Sequence, residues 1–175
     1  AKNAAVAILP AVILSDEPCV IENVPSISDV TISLRILEEM GAVVTNIGKD
    51  AYRIDPTPIN KCCVPYETAR KMRASYYFLG ALLGKFKKAR VSMPGGCPLG
   101  DRPIDQHLKA FSALGAKYTL SQGMIDLSAD ALKGSQIFFD VVTVGATMNA
   151  MLAAVKADGL TVIENAAKEP HIVDL

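Results

Sequence analysis

The chain has 175 residues, of which half are apolar and 21% are charged, and its 18 Lys and Arg residues balance 18 Asp and Glu residues. This length is typical of one domain, and the neutral charge balance argues against nucleic acid or an anionic membrane as a partner. Any anion site must therefore be local. The apolar run over residues 4–14 is too short to span a bilayer and lacks a signal-peptide cleavage pattern, so we expect a cytoplasmic protein.

Three segments of the chain align with one another without gaps: residues 2–23, 72–93 and 144–165, at offsets of 70 and 142. Each segment begins with an Ala- and Leu-rich stretch, and this composition predicts a buried helix. The first and third segments then reach the same tetrapeptide, Val-Ile-Glu-Asn, which predicts a short strand. Self-similarity of this kind indicates a protein built from repeated units.

A second helix is predicted in each of the first two units, because apolar residues recur there at spacings of 4, 3 and 3 and are followed by Gly. The residues are Val30, Leu34, Leu37, Met40 and Gly41 in unit one and Ile104, Leu108, Phe111, Leu114 and Gly115 in unit two. A β-hairpin is predicted after each Gly, with turns at Gly48 and at Gln122-Gly123. Each unit is therefore predicted to run helix, strand, helix, hairpin, strand, in an α/β fold.

We expect a single domain over residues 1–175, with repeat one at about 1–70, repeat two at about 71–142 and a partial repeat three at about 143–175. The third repeat stops three residues into its expected second helix, and the chain starts without Met at a predicted helix N-terminus. The sequence therefore predicts a piece of a longer protein, with repeat three truncated.

The connection from strand to second helix is four residues longer in unit two than in unit one. The extra residues fall in segment 94–103, which places Cys97 close to Arg102 and just before a helix N-terminus. Both neighbours favour a thiolate, so Cys97 is predicted to be a reactive thiol, against the alternative of a loop Cys without a role. The Gly residues of the segment would also let it act as a lid. The other Cys residues are interpreted as small buried hydrophobes with free thiols: Cys19, Cys62 and Cys63.

The first helices of the three units are expected to bring their N-termini close together. Those N-termini carry Lys2, Asn3, Arg73, Ser75, Gly145 and Thr147. Free backbone N–H groups together with Lys and Arg side chains make an anion site. A solvated surface charge is the alternative for any single Lys or Arg, but the equivalent positions in three units favour a site.

Asp105 is predicted to lie on the first turn of a helix, where it could serve as a cap or contact a ligand, and both interpretations stay open. His107 and His171 have no acidic or Cys partner at metal-binding spacing, so both are expected at the surface. We predict no metal and no cofactor.

Six motifs of the chain occur in the order found in one family of enzymes. They are Lys2-Asn3, Lys71-Met72-Arg73-Ala74-Ser75, Pro94-Gly95-Gly96-Cys97, Arg102-Pro103-Ile104-Asp105-Gln106-His107, Val144-Gly145-Ala146-Thr147 and Glu164-Asn165-Ala166-Ala167-Lys168-Glu169-Pro170. On these motifs the whole chain resembles the UDP-N-acetylglucosamine enolpyruvyl transferases. The resemblance implies an inside-out α/β barrel of the EPSP-synthase type, with two domains of three βαβαββ units and the active site between them. This chain resembles most of one domain, and the second catalytic domain is absent from it.

The resemblance also implies a reaction: transfer of the enolpyruvyl group of phosphoenolpyruvate to the 3-hydroxyl of UDP-N-acetylglucosamine, the first committed step of peptidoglycan precursor synthesis. Cys97 would be the general acid and the target of fosfomycin. Phosphoenolpyruvate contacts are implied for Lys2, Asn3 and Arg102, with Asn3 also facing the sugar. Contacts to UDP-N-acetylglucosamine are implied for Arg73, Arg102, Pro103, Ile104, Asp105, Gln106, Val141, Val142, Thr143, Val144 and Gly145. Val141 stands where many relatives carry Lys.

Three other interpretations stay open. The isolated chain could bind the UDP-sugar as a half-site without catalysis. A 5-enolpyruvylshikimate-3-phosphate synthase would share the barrel but is not expected to place a reactive Cys in this loop. An unrelated thiol hydrolase would need a His within reach of Cys97, and His107 lies ten residues further along the chain.

Overall fold

A computed structural model of the chain describes residues 2–93 and 103–175. The α-helices are α1 (Lys2–Ala11), α2 (Ser28–Met40), α3 (Tyr66–Ala69), α4 (Tyr77–Phe86), α5 (Asp105–Ala113), α6 (Val144–Ala154) and α7 (Pro170–Asp174). The strands are β1 (Cys19–Ile21), β2 (Val43–Asn46), β3 (Tyr52–Asp55), β4 (Lys88–Ser92), β5 (Lys117–Ser121), β6 (Met124–Ser128), β7 (Gln136–Phe138) and β8 (Val162–Glu164). Cys97 and Arg102 lie outside the described residues.

The first two sheets have the same topology. Their strand orders are β1-β3-β2 and β4-β6-β5, and the central strand is antiparallel to both neighbours in each. In the third sheet β7 pairs with β8 in parallel. Both predicted hairpins are present, and Gln122 and Gly123 have φ values of 52° and 73° in the turn between β5 and β6. A two-residue turn with positive φ at both positions matches the twist of the strands that it joins.

Local backbone geometry recurs along the chain in the same way. Gly41 and Gly115 both follow the predicted second helices with φ values of 113° and 103°, which confirms Gly as the residue that ends these helices. Asn23 and Asn165, the last residues of the two Val-Ile-Glu-Asn sequences, have φ values of 55° and 56°. Asn tolerates this left-handed conformation better than most residues.

The helices pack together in the centre of the molecule, and the sheets lie outside them. Eight of the ten residues of α4 and eight of the eleven residues of α6 are buried, as expected for helices that are apolar on all sides. Helix α4 packs against α1 and α6, and α6 packs against α5. All residues of β5 are exposed, whereas β6 buries Met124, Ile125 and Leu127. The expected α/β class, with helices inside and sheets outside, is confirmed.

Two glycines allow α4 and α6 to approach each other closely. A Cβ atom at Gly80 would lie 2.6 Å from the backbone oxygen of Asn149, and a Cβ atom at Gly84 would lie 2.9 Å from that of Leu152. Both distances are shorter than the van der Waals contact between a carbon and an oxygen atom, so only Gly fits at these positions.

Two expectations differ from the structure. The helix predicted from Met72 onwards begins as a 3-10 helix over Arg73–Tyr76 and becomes an α-helix only at Tyr77. The burial expected for the other thiols is wrong, since Cys19 and Cys62 are half-buried and Cys63 is exposed. The reason is their position at the margins of sheets: Cys19 begins the edge strand β1, and Cys63 forms an isolated parallel bridge beside β4.

Within the described part of the chain, no helix combines the length and the apolar character needed to cross a membrane.

Candidate functional site

A cavity of about 410 Å³ lies between the start of α5, the segment that leads into α6, and the end of the 3-10 helix before α4. It is lined by Tyr76, Tyr77, Pro103, Ile104, Asp105, Gln106, His107, Val141, Thr143, Val144 and Gly145. Its volume lies in the range of pockets that hold small-molecule ligands. Apolar and aromatic side chains form most of its wall, and a few polar groups converge on it.

The structure brings together most of the residues that were predicted to contact a nucleotide sugar. Pro103, Ile104, Asp105, Gln106, Val141, Thr143, Val144 and Gly145 all line the cavity. Val142 is exposed next to it and does not line it. Sequence reasoning missed Tyr76, Tyr77 and His107. The assignment of these residues to a particular ligand stays a prediction.

Gln106 joins the two segments that form the cavity. Its Oε1 atom accepts a hydrogen bond from the backbone N–H of Asp140 at 2.9 Å, and its Nε2 atom donates to Oδ2 of Asp140 at 3.2 Å and to Oδ2 of Asp105 at 3.0 Å. Lys109 also donates to Oδ2 of Asp140, at 2.8 Å. The bonds from Lys109 and then Gln106 hold the pKa of Asp140 below its usual value. The start of α5 is thereby fixed to the segment before α6.

The N-terminus of α6 faces the cavity. Thr143 is its N-cap residue, and the Thr143 side chain accepts a hydrogen bond from the backbone N–H of Ala146 at 3.5 Å. The backbone N–H groups of Val144 and Gly145 belong to the first turn and have no acceptor within the helix. A helix N-terminus favours acceptor oxygens, above all those of phosphate. This wall of the cavity therefore suits an anionic or carbonyl group.

Asp105 is the first residue of α5, and Ile104 occupies the N-cap position without a capping side chain. The interpretation of Asp105 as a cap is therefore not supported. Its carboxylate accepts a hydrogen bond from Gln106 and lines the cavity.

His107 is buried, with 6% of its surface exposed, so the expectation of a surface position is wrong. Its Nδ1 atom lies 2.9 Å from Nδ2 of Asn149, and its ring meets the Tyr76 ring edge-on, with centroids 5.1 Å apart. Burial lowers the pKa of His107 to about 4, although the nearby Asp105 carboxylate raises it. The ring is therefore neutral near pH 7 and is a weak base, which disfavours the interpretation as a thiol hydrolase.

The spacing of apolar residues in the sequence could have predicted the burial of His107. His107 lies three residues after Ile104 and four before Phe111, on the apolar face that predicted α5. A polar residue on such a face is either paired or functional when it is buried.

The cationic residues predicted for the anion site do not line the cavity. Nζ of Lys2 lies 2.8 Å from Oδ2 of Asp29, and Asn3 and Arg73 are exposed. Ser75 and Thr147 are buried, and Oγ1 of Thr147 donates to the Thr143 carbonyl at 2.8 Å. The roles predicted for Lys2, Asn3 and Arg73 stay predictions. Across residues 2–93 and 103–175, no three His, Cys, Asp or Glu side chains cluster as a metal site.

The arrangement of central helices and outer sheets is the fold of the enolpyruvyl transferases. The chain superimposes on the enolpyruvyl transferase NikO from Streptomyces tendae with a TM-score of 0.85 and 23% identity, over 99% of this chain and 41% of that one. It superimposes on an EPSP synthase from Acinetobacter baumannii with a TM-score of 0.72 and 16% identity, over 99% of this chain and 40% of that one. At these identities the likeness shows the fold alone.

The sequence itself identifies the family. The model of the family EPSP synthase (3-phosphoshikimate 1-carboxyvinyltransferase) matches residues 1–175, and the chain belongs to this family. It is 55% identical to UDP-N-acetylglucosamine 1-carboxyvinyltransferase 3 of Caldanaerobacter subterraneus subsp. tengcongensis and 58% identical to UDP-N-acetylglucosamine 1-carboxyvinyltransferase 2 of Listeria monocytogenes serotype 4b. Both matches cover all of this chain, which spans 42% and 41% of the length of these relatives.

Proposed function

We propose that this chain belongs to an enzyme that transfers the enolpyruvyl group of phosphoenolpyruvate to the 3-hydroxyl of UDP-N-acetylglucosamine, and that it forms one wall of the nucleotide-sugar site. The identity of 55–58% to relatives named as UDP-N-acetylglucosamine 1-carboxyvinyltransferases supports this substrate. In this proposal the enzyme acts in the cytoplasm and supplies peptidoglycan precursors.

The observation that carries the proposal is the composition of the cavity. Tyr76, Pro103 and Val144 offer apolar surface to a flat ring such as uracil, and the N-terminus of α6 offers N–H donors to carbonyl or diphosphate oxygens. A uridine diphosphate combines the same two features, a planar base and an anionic diphosphate.

The reaction itself requires an acid, a base and cations. The sugar 3-hydroxyl gives its proton to a base and adds to C2 of phosphoenolpyruvate while C3 receives a proton. In the second step C3 loses a proton and phosphate leaves C2, which forms the enol ether. In the proposal Cys97 donates the proton to C3, since a thiol can serve as acid or nucleophile near neutral pH. Lys2 and Arg102 hold the phosphate, Asn3 contacts the sugar and Arg73 contacts the diphosphate. The remainder of the enzyme supplies the base.

For the 175-residue chain alone we propose binding without turnover. The cavity is formed by residues of this chain, whereas Lys2, Asn3 and Arg73 do not line it. In this proposal the remainder of the enzyme supplies the second wall that brings the reacting groups together.

Calorimetric titration of the chain with UDP-N-acetylglucosamine, UDP and 3-phosphoshikimate tests the proposal. We expect the two uridine nucleotides to bind and 3-phosphoshikimate not to bind. Gly145→Ala should weaken nucleotide binding, because a Cβ atom there would lie 3.0 Å from Cε1 of His107. Gly48→Ala is the matched control, since its Cβ atom would meet only Ala51, at 3.4 Å. Binding of 3-phosphoshikimate in preference to the uridine nucleotides would contradict the proposal.

A further inference from the structure

The side-chain amide of Asn149 has one possible orientation. Its Oδ1 atom accepts a hydrogen bond from the backbone N–H of Gly80 at 2.9 Å, and its Nδ2 atom donates to the backbone carbonyl of Tyr76 at 3.2 Å. A backbone N–H can only donate and a backbone carbonyl can only accept. Reversing the amide would lose both bonds in a fully buried position, so the orientation is fixed.

This orientation determines where His107 carries its proton. The amide nitrogen of Asn149 lies 2.9 Å from Nδ1 of His107. Because that nitrogen is a donor, Nδ1 must accept, and a neutral imidazole then carries its proton on Nε2. Two backbone groups of α4 and its preceding turn therefore select the tautomer of a ring on α5, through a single Asn on α6.

The Cε1–Nε2 edge of the ring faces the N-terminus of α6. A Cβ atom at Gly145 would lie 3.0 Å from Cε1 and 3.2 Å from Nε2 of His107, and both residues line the cavity. Among the groups that the structure describes, none accepts a hydrogen bond from Nε2. The ring thus has one nitrogen satisfied inside the protein and one donor left at the cavity wall.

We propose that Asn149 is a positioning residue of the nucleotide-sugar site: it fixes His107 as the Nε2–H tautomer, so that the ring donates a hydrogen bond to an acceptor oxygen of the bound nucleotide sugar. The identity of the ligand rests on the proposed function, whereas the tautomer is a property of the chain alone. Burial favours the neutral ring, and Asp105 is the titratable group that opposes this effect. The other titratable side chains near the ring are Tyr76 and Tyr77.

The tautomer can be measured directly. The chain contains two His residues, so His171→Gln leaves His107 as the single imidazole in ¹H–¹⁵N ring spectra. In the ligand-free chain at pH 7 we expect an unprotonated Nδ1 and a protonated Nε2. Asn149→Asp replaces the donor with an acceptor, so Nδ1 should gain a proton. A protonated Nδ1 in the chain with Asn149 intact would overturn the proposal, whatever the Asp variant does.

The role toward the ligand is tested by a matched pair of substitutions. His107→Gln keeps an N–H donor near the position of Nε2, and His107→Leu removes it. We expect the Leu variant to bind UDP-N-acetylglucosamine about tenfold more weakly and the Gln variant to stay within about threefold of the unaltered chain. If the Leu variant does not fold, the Nε2–H resonance of the unaltered chain should move downfield when the nucleotide sugar is added.

The outcomes separate this inference from the proposed function. Equal binding by the Gln and Leu variants, or an Nε2–H resonance that ignores the ligand, overturns the donor role while nucleotide binding stands. If the unaltered chain does not bind UDP-N-acetylglucosamine, the proposed function and the ligand contact are both overturned. The tautomer measurement then tests only whether Asn149 fixes the His107 ring.

Discussion

Gln106 and Asp140 are joined by two hydrogen bonds, one from the Asp140 backbone N–H to Oε1 of Gln106 and one from Nε2 of Gln106 to Oδ2 of Asp140. The two residues are 34 positions apart in the sequence; Gln106 lies within the cavity-lining segment 103–107, and Asp140 directly precedes Val141, which also lines the cavity. This pair therefore helps to hold the two segments at a fixed separation, together with the bond from Lys109 to Asp140.

Replacing Gln106 should affect binding more than stability. In Gln106→Glu the new carboxylate can still accept from the Asp140 backbone, but it repels the carboxylates of Asp105 and Asp140. We expect a loss of about 1 kcal/mol in the free energy of unfolding and about tenfold weaker binding of UDP-N-acetylglucosamine. Calorimetry and chemical denaturation measure the two effects.

Gln136→Glu is the matched control, because Nε2 of Gln136 also donates to a carboxylate, that of Glu164 at 2.6 Å, and Gln136 does not line the cavity. It should lose similar stability and keep its affinity. Equal affinities for the two variants would show that the Gln106 link does not shape the site.

Acidification should destabilise the chain through His107. Its pKa falls from 6.5 to about 4 in the folded state, so between these values the unfolded chain binds more protons and stability decreases as the pH falls. Stability is highest above 6.5 and levels off below about 4, with a loss of about 2 kcal/mol between pH 7 and pH 5. Chemical denaturation at several pH values measures the slope.

His107→Gln should remove most of this slope. The carboxyl groups with lowered pKa values, such as Glu39 and Asp55, contribute only at lower pH, since their ordinary values are 4.5 and 3.8. An unchanged slope in the His107 variant would mean that the ring is not buried as a neutral group.

Close packing between α4 and α6 should make Gly80→Ala strongly destabilising. The added Cβ atom would lie 2.6 Å from a backbone oxygen of Asn149 and 2.7 Å from its Oδ1 atom. We expect a loss of about 2–3 kcal/mol, since the clash outweighs the gain of about 1 kcal/mol in helix propensity. Gly48→Ala should change the free energy of unfolding by less than about 0.5 kcal/mol, and thermal unfolding of both variants is the measurement. Equal melting temperatures would contradict the packing described for these helices.

The sequence predicted the elements whose signals are local. Apolar spacing and a terminal Gly suffice to define α2 and α5, because a helix is stabilised by contacts three and four residues apart. The cavity segments around Gln106 and Gly145 were also expected, although on a resemblance and not on spacing. The parallel pairing of β7 with β8 joins residues 26 positions apart, and no local pattern specifies such a pair.

Two parts of the site escaped prediction for physical reasons. Tyr76 and Tyr77 belong to the same unit as α5 but meet the unit-three residues of the cavity only through the packing of α4 against α6, which no sequence pattern shows. His107 was expected at the surface because it has no acidic or Cys partner at metal-binding spacing, yet Asn149, 42 residues away, pairs with its Nδ1 atom inside the core.

Cys97 should be the most reactive thiol of the four if the proposed chemistry is correct. We expect alkylation with peptide mapping to modify it faster than Cys63, an exposed residue whose thiol is desolvated enough by its surroundings to raise its pKa. Addition of UDP-N-acetylglucosamine should change the rate at Cys97 and leave the rate at Cys63 unchanged. A rate at Cys97 equal to that at Cys63 and indifferent to the nucleotide sugar would remove the support for its role as the acid.

The most direct test of the account is to locate UDP-N-acetylglucosamine on the chain by backbone amide NMR titration. If the cavity is the nucleotide-sugar site, the largest shifts will fall at residues 104–107 and 143–145, with Tyr76 among them, and the exposed strand β5 will stay unchanged. Shifts that are absent, or that concentrate away from these segments, would contradict the assignment of this cavity to the nucleotide sugar.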